Sequence, residues 1–244
     1  MNRLISIVIL FFLISCSTSE QKEIEEKKPA GKASFIPIPP MYKGLWVNEG
    51  YLKELSKTRS TKMAQGKEGF YKIYDKNSIM QLDLHEGGAE NILVMETDKD
   101  GQIYSTDSTQ ALNKVEFKDG IMVIDNVRCI KAPDGESGLQ VLVNKAFFSG
   151  KYLLGEKFIE FKDDGSITGL DSINGFNLNL NYVGPGMQFD LINFKLNDKS
   201  KDYLYEFKSD TLLISEVDCL VMEEESDFCL EVAKGNEVYR MVKK

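Results

Sequence analysis

Short runs of alternating apolar and polar residues, separated by tight turns, constrain the fold of this chain more than any other feature. In KVEFKDGIMVID, residues 114–125, Val115 and Phe117 alternate with charged residues before an Asp-Gly pair, and apolar Ile121 and Val123 follow it at the same spacing. Such alternation places one face of a strand against a core, and Asp-Gly favours a two-residue hairpin turn. Similar runs occupy residues 157–170, 187–197 and 205–217. We therefore predict an all-β, antiparallel protein with about fifteen strands.

A weak internal repeat divides the chain into two halves. YKGLWVN at residues 42–48 resembles FSGKYLL at 148–154, and VEFKDGIMVID at 115–125 resembles YEFKSDTLLIS at 205–215. Internal similarity of this kind indicates tandem structural units. We expect two small barrels or half-open barrels, because closure protects the strand edges of a long antiparallel meander. One large barrel is the alternative. The predicted units cover residues 41–146 and 147–244.

One segment has the pattern of a helix rather than of a strand. In NEGYLKELSKT, residues 48–58, the side chains of Tyr51, Leu52 and Leu55 share one helical face, and Asn48 can cap the first turn. We predict a short helix directly after the first strand.

The first residues have the organisation of a signal peptide. A short positive start that contains Arg3 precedes eleven largely apolar residues, Leu4 to Ile14. As a helix this run would rise about 16 Å, against roughly 30 Å of hydrocarbon, which is too short for a membrane span. We predict a signal peptide over residues 1–15.

The residues Leu13-Ile14-Ser15-Cys16 resemble the lipobox of bacterial lipoproteins. The resemblance implies that Cys16 carries a lipid anchor and becomes the first residue of the mature chain; an ordinary secretory signal is the alternative. It places the protein in the bacterial cell envelope, attached to a membrane through its lipid, and the outer membrane is expected, on its periplasmic or surface face. Residues 16–40 are polar and charged and form the predicted tether.

The charge of the chain bears on its partners. The formal net charge is -8, and no Lys/Arg-rich stretch stands out. Nucleic-acid binding depends on a basic surface that neutralises phosphates. We therefore expect no nucleic-acid partner.

The remaining cysteines are Cys129, Cys219 and Cys229. Cys219 and Cys229 flank a short segment that fits a hairpin or compact loop, and an exported protein occupies an oxidising compartment. We predict a disulfide between them and a buried free thiol at Cys129, which has apolar neighbours.

Gly44-Leu45-Trp46 resembles the Gly-x-Trp signature of the lipocalin and calycin barrels. The resemblance implies that Trp46 plugs the floor of a barrel beneath an arginine of the last strand. Arg240 has a suitable position near the final strand, and Arg128 is the equivalent candidate if the first unit closes on itself. Members of this family hold a small apolar ligand, which would contact Trp46; the alternative is that Trp46 is simply a core aromatic residue.

Candidates for metal binding and catalysis are weak. His85 is the only histidine, and a zinc site needs three or four ligands, usually several of them His or Cys. Residues 98–101, Asp-Lys-Asp-Gly, depart from the calcium-loop pattern and fit a hairpin turn better. We expect no metal, no cofactor and no catalytic residue. A hydrolase that uses paired carboxylates stays open as an alternative.

Together these features favour a membrane-anchored envelope lipoprotein that is not an enzyme. We expect it to act as a binding module for an apolar small molecule or a protein partner. A deep apolar cavity near Trp46 would favour the small molecule, whereas barrel cores filled by their own side chains would favour a protein. A purely structural envelope component is a further alternative.

Overall fold

Two eight-stranded antiparallel sheets follow each other along the chain. The first is a closed barrel and the second is nearly closed, as the sequence predicts, so one large barrel is excluded. The computed structural model describes residues 38–67, 69–74, 78–83, 88–97, 102–106, 113–135, 137–181, 187–197, 199–223 and 229–244.

The first barrel is an up-and-down meander in which each strand pairs with the next and β8 returns to β1. A 3₁₀ turn over Pro40–Tyr42 leads into it. Its elements are β1 (Gly44–Asn48), α1 (Glu49–Thr58), β2 (Phe70–Ile73), β3 (Ser78–Asp83), β4 (Gly88–Thr97), β5 (Ile103–Thr106), β6 (Asn113–Lys118), β7 (Ile121–Ile124) and β8 (Val127–Lys131).

The second sheet repeats this meander, with β16 returning to β9 and an interruption between β11 and β12. Its elements are α2 (Gly138–Val143), a π-helical turn (Asn144–Phe148), β9 (Gly150–Leu154), β10 (Lys157–Phe161), β11 (Ile167–Thr168), β12 (Gly175–Leu178), β13 (Leu191–Leu196), β14 (Lys199–Lys208), β15 (Thr211–Met222) and β16 (Cys229–Lys243).

Two backbone hydrogen bonds draw the free edges of the second sheet together. The Ile167 amide donates to the Asn174 carbonyl at 3.1 Å, and the Phe176 amide donates to the Gly165 carbonyl at 2.7 Å. These bonds satisfy polar groups that open edges would expose, so the sheet is almost a barrel.

The core of the first barrel is a separate cluster inside the closed sheet. It consists of Ile38, Trp46, Ile73, Ile79, Met95, Val115, Met122, Ile124 and Cys129. Ile38 is buried in this cluster, so the chain joins the barrel core three residues before the predicted start of the first unit at residue 41.

A second, larger core fills the other sheet and continues to the helices outside the first barrel. Val47 alternates with Trp46 along β1, so it points out of the barrel and joins this second core. Tyr51 and Leu55 of α1 are buried in the same cluster as Phe147 and Phe148. The helical segments therefore pack between the outer face of β1 and the interior of the second sheet.

Helix α1 begins and ends as its sequence predicts. The Asn48 side chain accepts a hydrogen bond from the Gly50 amide at 2.7 Å, and Arg59 ends the helix in the left-handed conformation. The sequence did not predict α2, because its Val141-Leu142-Val143 run is typical of strands.

The described residues, from Ile38 onward, belong to one compact unit. In the part of the chain that the structure describes, neither helix has the length and hydropathy needed to cross a bilayer.

Candidate functional site

The first barrel closes where a glycine of β1 meets a lysine of β8. Gly44 has a φ of 121°, and a β-carbon there would lie 3.0 Å from Cε of Lys131. Lys131 Nζ donates to the Met41 carbonyl at 3.1 Å. Trp46, two residues after the glycine, donates from Nε1 to the Tyr42 carbonyl at 2.8 Å. Lys131 of the last strand and Trp46 of the first strand thus both donate hydrogen bonds to the segment that enters the barrel.

The second sheet closes in the same way. Gly150 has a φ of 144°, and its β-carbon would lie 3.0 Å from Cε of Lys243. Lys243 Nζ donates to the Phe147 carbonyl at 2.8 Å, and it lies 5.5 Å from the ring centroid of Tyr152. The Tyr152 hydroxyl, two residues after the glycine, donates to the Phe148 carbonyl at 2.6 Å.

The two closures use the same positions in each half: a carbonyl three residues before the glycine, an aromatic residue two after it, and a lysine on the last strand. The sequence repeat at residues 42–48 and 148–154 therefore reflects a repeated structural device. Arg128 and Arg240 do not fill the lysine positions. Arg128 pairs instead with Glu49 at 3.1 Å, and Arg240 with Glu237 at 2.8 Å.

Strand alternation explains this difference. Lys131 and Lys243 each follow a buried residue, Cys129 or Met241, at spacing two and share its face. Each arginine lies three residues before its lysine and so points to the opposite face. The signal in the sequence was an apolar residue followed two positions later by a lysine, near the end of each half.

Trp46 is 1% exposed inside the first barrel. Its ring lies 6.2 Å from that of Phe117, which stacks at 4.4 Å on Tyr42. Neighbouring Cys129 is a buried thiol, and burial raises its pKa to about 12. Trp46 thus packs as a core aromatic residue here, and its contact with an apolar ligand stays a prediction.

A two-stranded ribbon extends from the second sheet beyond its neighbours. Strand β14 pairs with β15 only as far as Glu216, and β15 then continues to Met222 paired with β16. The ribbon carries a disulfide between Cys219 and Cys229. We call residues 218–223 and 229–231 the hairpin tip.

The hairpin tip exposes a group of large apolar side chains. The exposed fractions are 59% for Leu220, 43% for Val221, 52% for Met222 and 50% for Leu230. Exposed apolar residues that occur singly are ordinary, whereas several at the end of one ribbon indicate an interaction surface. This group is the best candidate for a functional site.

The surroundings of the hairpin tip are acidic. Between residues 216 and 231 the chain has seven acidic residues and no Lys or Arg. Asp218 and Glu231 are exposed beside the apolar group. The negative charge around the hairpin tip would attract a basic partner surface, which could also contact the apolar side chains. An anionic surface would be repelled.

No protein-family model, curated protein or solved structure matches this chain.

Some residues considered from the sequence lie outside the described ranges. These are the predicted signal peptide and the tether up to residue 37, which includes Cys16, together with His85 and the turn at residues 98–101. Among the residues that are described, no three or more His, Cys, Asp or Glu side chains come together as a metal site.

The hairpin tip was not predicted as a site from the sequence. A signal was nevertheless present. Residues 219–222 read Cys-Leu-Val-Met, and successive residues of a strand face opposite sides. A two-stranded ribbon with apolar residues on both faces cannot bury them all by itself.

Proposed function

We propose that this chain is a lipid-anchored binding protein of the bacterial cell envelope, and that its hairpin tip docks on a protein partner with a basic and apolar surface. The observation that carries the proposal is the group of four exposed apolar side chains in an acidic setting. The resemblance of Leu13–Cys16 to a lipobox and the predicted polar tether support the anchored location.

A protein partner is favoured over a membrane surface as the occupant of the tip. Membrane surfaces that carry anionic lipids attract Lys and Arg side chains, and the hairpin tip has neither. A basic protein surface gains both the apolar contact and the charge complementarity.

Binding is also favoured over carboxylate catalysis. A carboxyl group that acts as a general acid near neutral pH needs a raised pKa. The carboxyl groups whose pKa stands out in the described chain are lowered instead. A hydrogen bond from Ser166 lowers the pKa of Asp164, and one from Lys234 lowers the pKa of Glu206.

Site-specific photo-crosslinking in the protein's own envelope tests the proposal. The photoreactive residue p-benzoylphenylalanine replaces Leu220 or Met222 in the full chain. We expect a discrete protein adduct from both positions. Phe158, which is 65% exposed on β10, is the matched control and should give no such adduct.

Charge reversal makes this test specific. The double substitution Glu223→Lys and Glu231→Lys should lower the adduct yield roughly tenfold, because the basic partner is then repelled. High salt should weaken the adduct of the unmodified tip as well. Adducts with lipid alone, or equal adducts from the Phe158 position, would contradict the proposal.

A further inference from the structure

A cleft of about 310 Å³ lies on the outer face of the second sheet. Leu212 and Ile214 of β15 point into the sheet's core, so Leu213 and Ser215 between them point outward and line the cleft. Leu204 of β14 lies directly opposite Ser215 in the ladder and lines the same floor. None of the lining residues belongs to the hairpin tip.

The opposite wall of the cleft is held by one carboxylate. Asp190 accepts hydrogen bonds from Ser60 Oγ at 2.6 Å, from Thr61 Oγ1 at 3.1 Å and from the Lys62 amide at 2.8 Å. These bonds fix the turn after α1, including Met63, over the second sheet. A ligand would therefore meet a preformed wall and would lose little affinity to ordering it.

The floor of the cleft contains an unsatisfied polar group. Ser215 is 1% exposed, and its Oγ has no hydrogen-bond partner in the described part of the chain. The ladder between β15 and β16 is irregular on both sides of Ser215. A buried hydroxyl without a partner is unfavourable for folding, whereas an alanine at the same position would avoid this cost. Bulged positions of this kind are frequent beside functional sites, where they redirect a side chain.

The charged side chains around the cleft have polar partners and balance one another. Lys234 Nζ lies 2.9 Å from Glu206, and Lys62 Nζ donates to the Gln188 carbonyl at 2.7 Å. The two lysines balance the carboxylates of Glu206 and Asp190. The lining therefore has no net formal charge, and an uncharged ligand fits it better than a charged one.

We propose that this cleft binds a small uncharged molecule with an apolar body and one hydrogen-bonding group, which pairs with Ser215 Oγ. Leu204 and Leu213 would contact the apolar body. The volume of about 310 Å³ is at the lower end of the roughly 300–1,000 Å³ of small-molecule sites. This site is independent of the protein docking proposed for the hairpin tip.

A matched pair of fluorinated probes tests the proposal by ¹⁹F NMR titration of the full chain in a zwitterionic detergent. The first probe, 4-fluoro-4′-hydroxybiphenyl, carries one hydroxyl and is uncharged at pH 7, and the second, 4-fluorobiphenyl, lacks that group. The variants are Ser215→Ala, Ser215→Thr, and Leu204→Trp, which fills the floor. Leu220→Ser at the hairpin tip is the control, and detergent partitioning is the same for every variant.

We expect saturable binding of the hydroxylated probe that weakens roughly fivefold to tenfold in Ser215→Ala and is largely retained in Ser215→Thr. Binding of 4-fluorobiphenyl should be equal in the wild type and Ser215→Ala. Leu204→Trp should abolish binding of both probes, and Leu220→Ser should leave it unchanged.

A stability measurement separates this role from a structural one. Ser215→Ala removes an unpartnered hydroxyl, so its unfolding midpoint should equal or exceed that of the wild type while its probe binding falls. Absence of saturable binding by the wild type would overturn the proposal. Equal affinity of the hydroxylated probe for the wild type and for the Ser215→Ala or Leu204→Trp variant would overturn it too.

Discussion

Single residues decide how each half of this molecule closes. The lysine near the end of each meander covers a glycine of the first strand with its aliphatic stem. Its Nζ donates a hydrogen bond to a backbone carbonyl of the segment that leads into the sheet. Such a side chain stabilises the closure through its apolar stem as well as through its charge. Burial lowers the pKa of Lys243, and nearby Arg59 adds to this effect against the opposite influence of Asp210.

Cys129 illustrates how burial controls the chemistry of a residue. Its thiol lies in the core of the first barrel, and burial raises its pKa to about 12 from the ordinary value of 9.0. The thiolate is the reactive form of cysteine, so a raised pKa suppresses reaction.

We predict that Cys129 resists alkylation in the folded protein. At pH 8 the thiolate population is roughly a thousandfold smaller than in the unfolded chain, as the difference between pKa values of 12 and 9.0 requires. Iodoacetamide labelling with and without denaturant, read by mass spectrometry, compares the labelling rates of the folded and unfolded states. Equal labelling rates in the two states would contradict the buried position.

Among the secondary-structure elements, the ribbon of β15 and β16 is distinct because it extends beyond the neighbouring strands. Isolated two-stranded hairpins are only marginally stable in water. The part of the ribbon beyond Glu216 pairs in one ladder only, and its disulfide closes a loop with a sequence separation of 10. A cross-link over such a loop contributes about 3 kcal/mol in the chain-entropy description.

Removal of the disulfide should therefore loosen the ribbon without loosening the barrels. In the double variant Cys219→Ser and Cys229→Ser, amide exchange of the hairpin tip should accelerate by up to roughly a hundredfold. Hydrogen–deuterium exchange with mass spectrometry measures the change, and strand β6 serves as the internal control. A uniform acceleration across both sheets would show that the disulfide stabilises the whole unit instead.

For the molecule as a whole, most of the fold was predictable from the sequence. Period-two patterns and Asp-Gly turns are local, so hairpins such as β6–β7 were predictable from the residues that form them. The sequence repeat predicted two units because the glycine, the aromatic residue and the later hairpin recur in the same order in each half. Closure of β8 on β1 joins distant segments, and periodicity alone does not specify which lysine covers which glycine.

The candidate surfaces were harder to predict for the same reason. The cleft at Ser215 is completed by the turn after α1, more than 140 residues earlier in the chain, and exposure of Leu220 depends on where β14 stops pairing. Neither property is encoded near the residue itself.

The predicted membrane anchor would act on the molecule as a whole. Acyl chains on Cys16 would bind a bilayer with about 0.8 kcal/mol per buried methylene. The substitution Cys16→Ala should therefore release the protein from membranes and abolish acyl labelling. Fractionation and labelling measure both effects, with Cys129→Ala as the control that keeps the anchor. Unchanged membrane attachment of the Cys16→Ala variant would refute the lipobox interpretation.

The ribbon and the closing seam share a single strand, β16, which runs from the hairpin tip to its pairing with β9 at Val242 and Lys243. A partner that pulls on the tip along the ribbon applies tension along this strand. Antiparallel hydrogen bonds lie perpendicular to the strands, so such a force shears many bonds together instead of unzipping them singly. Because both strands of the ribbon would be pulled in the same direction, the load would pass into the second sheet through the ladders of β15 with β14 and of β16 with β9.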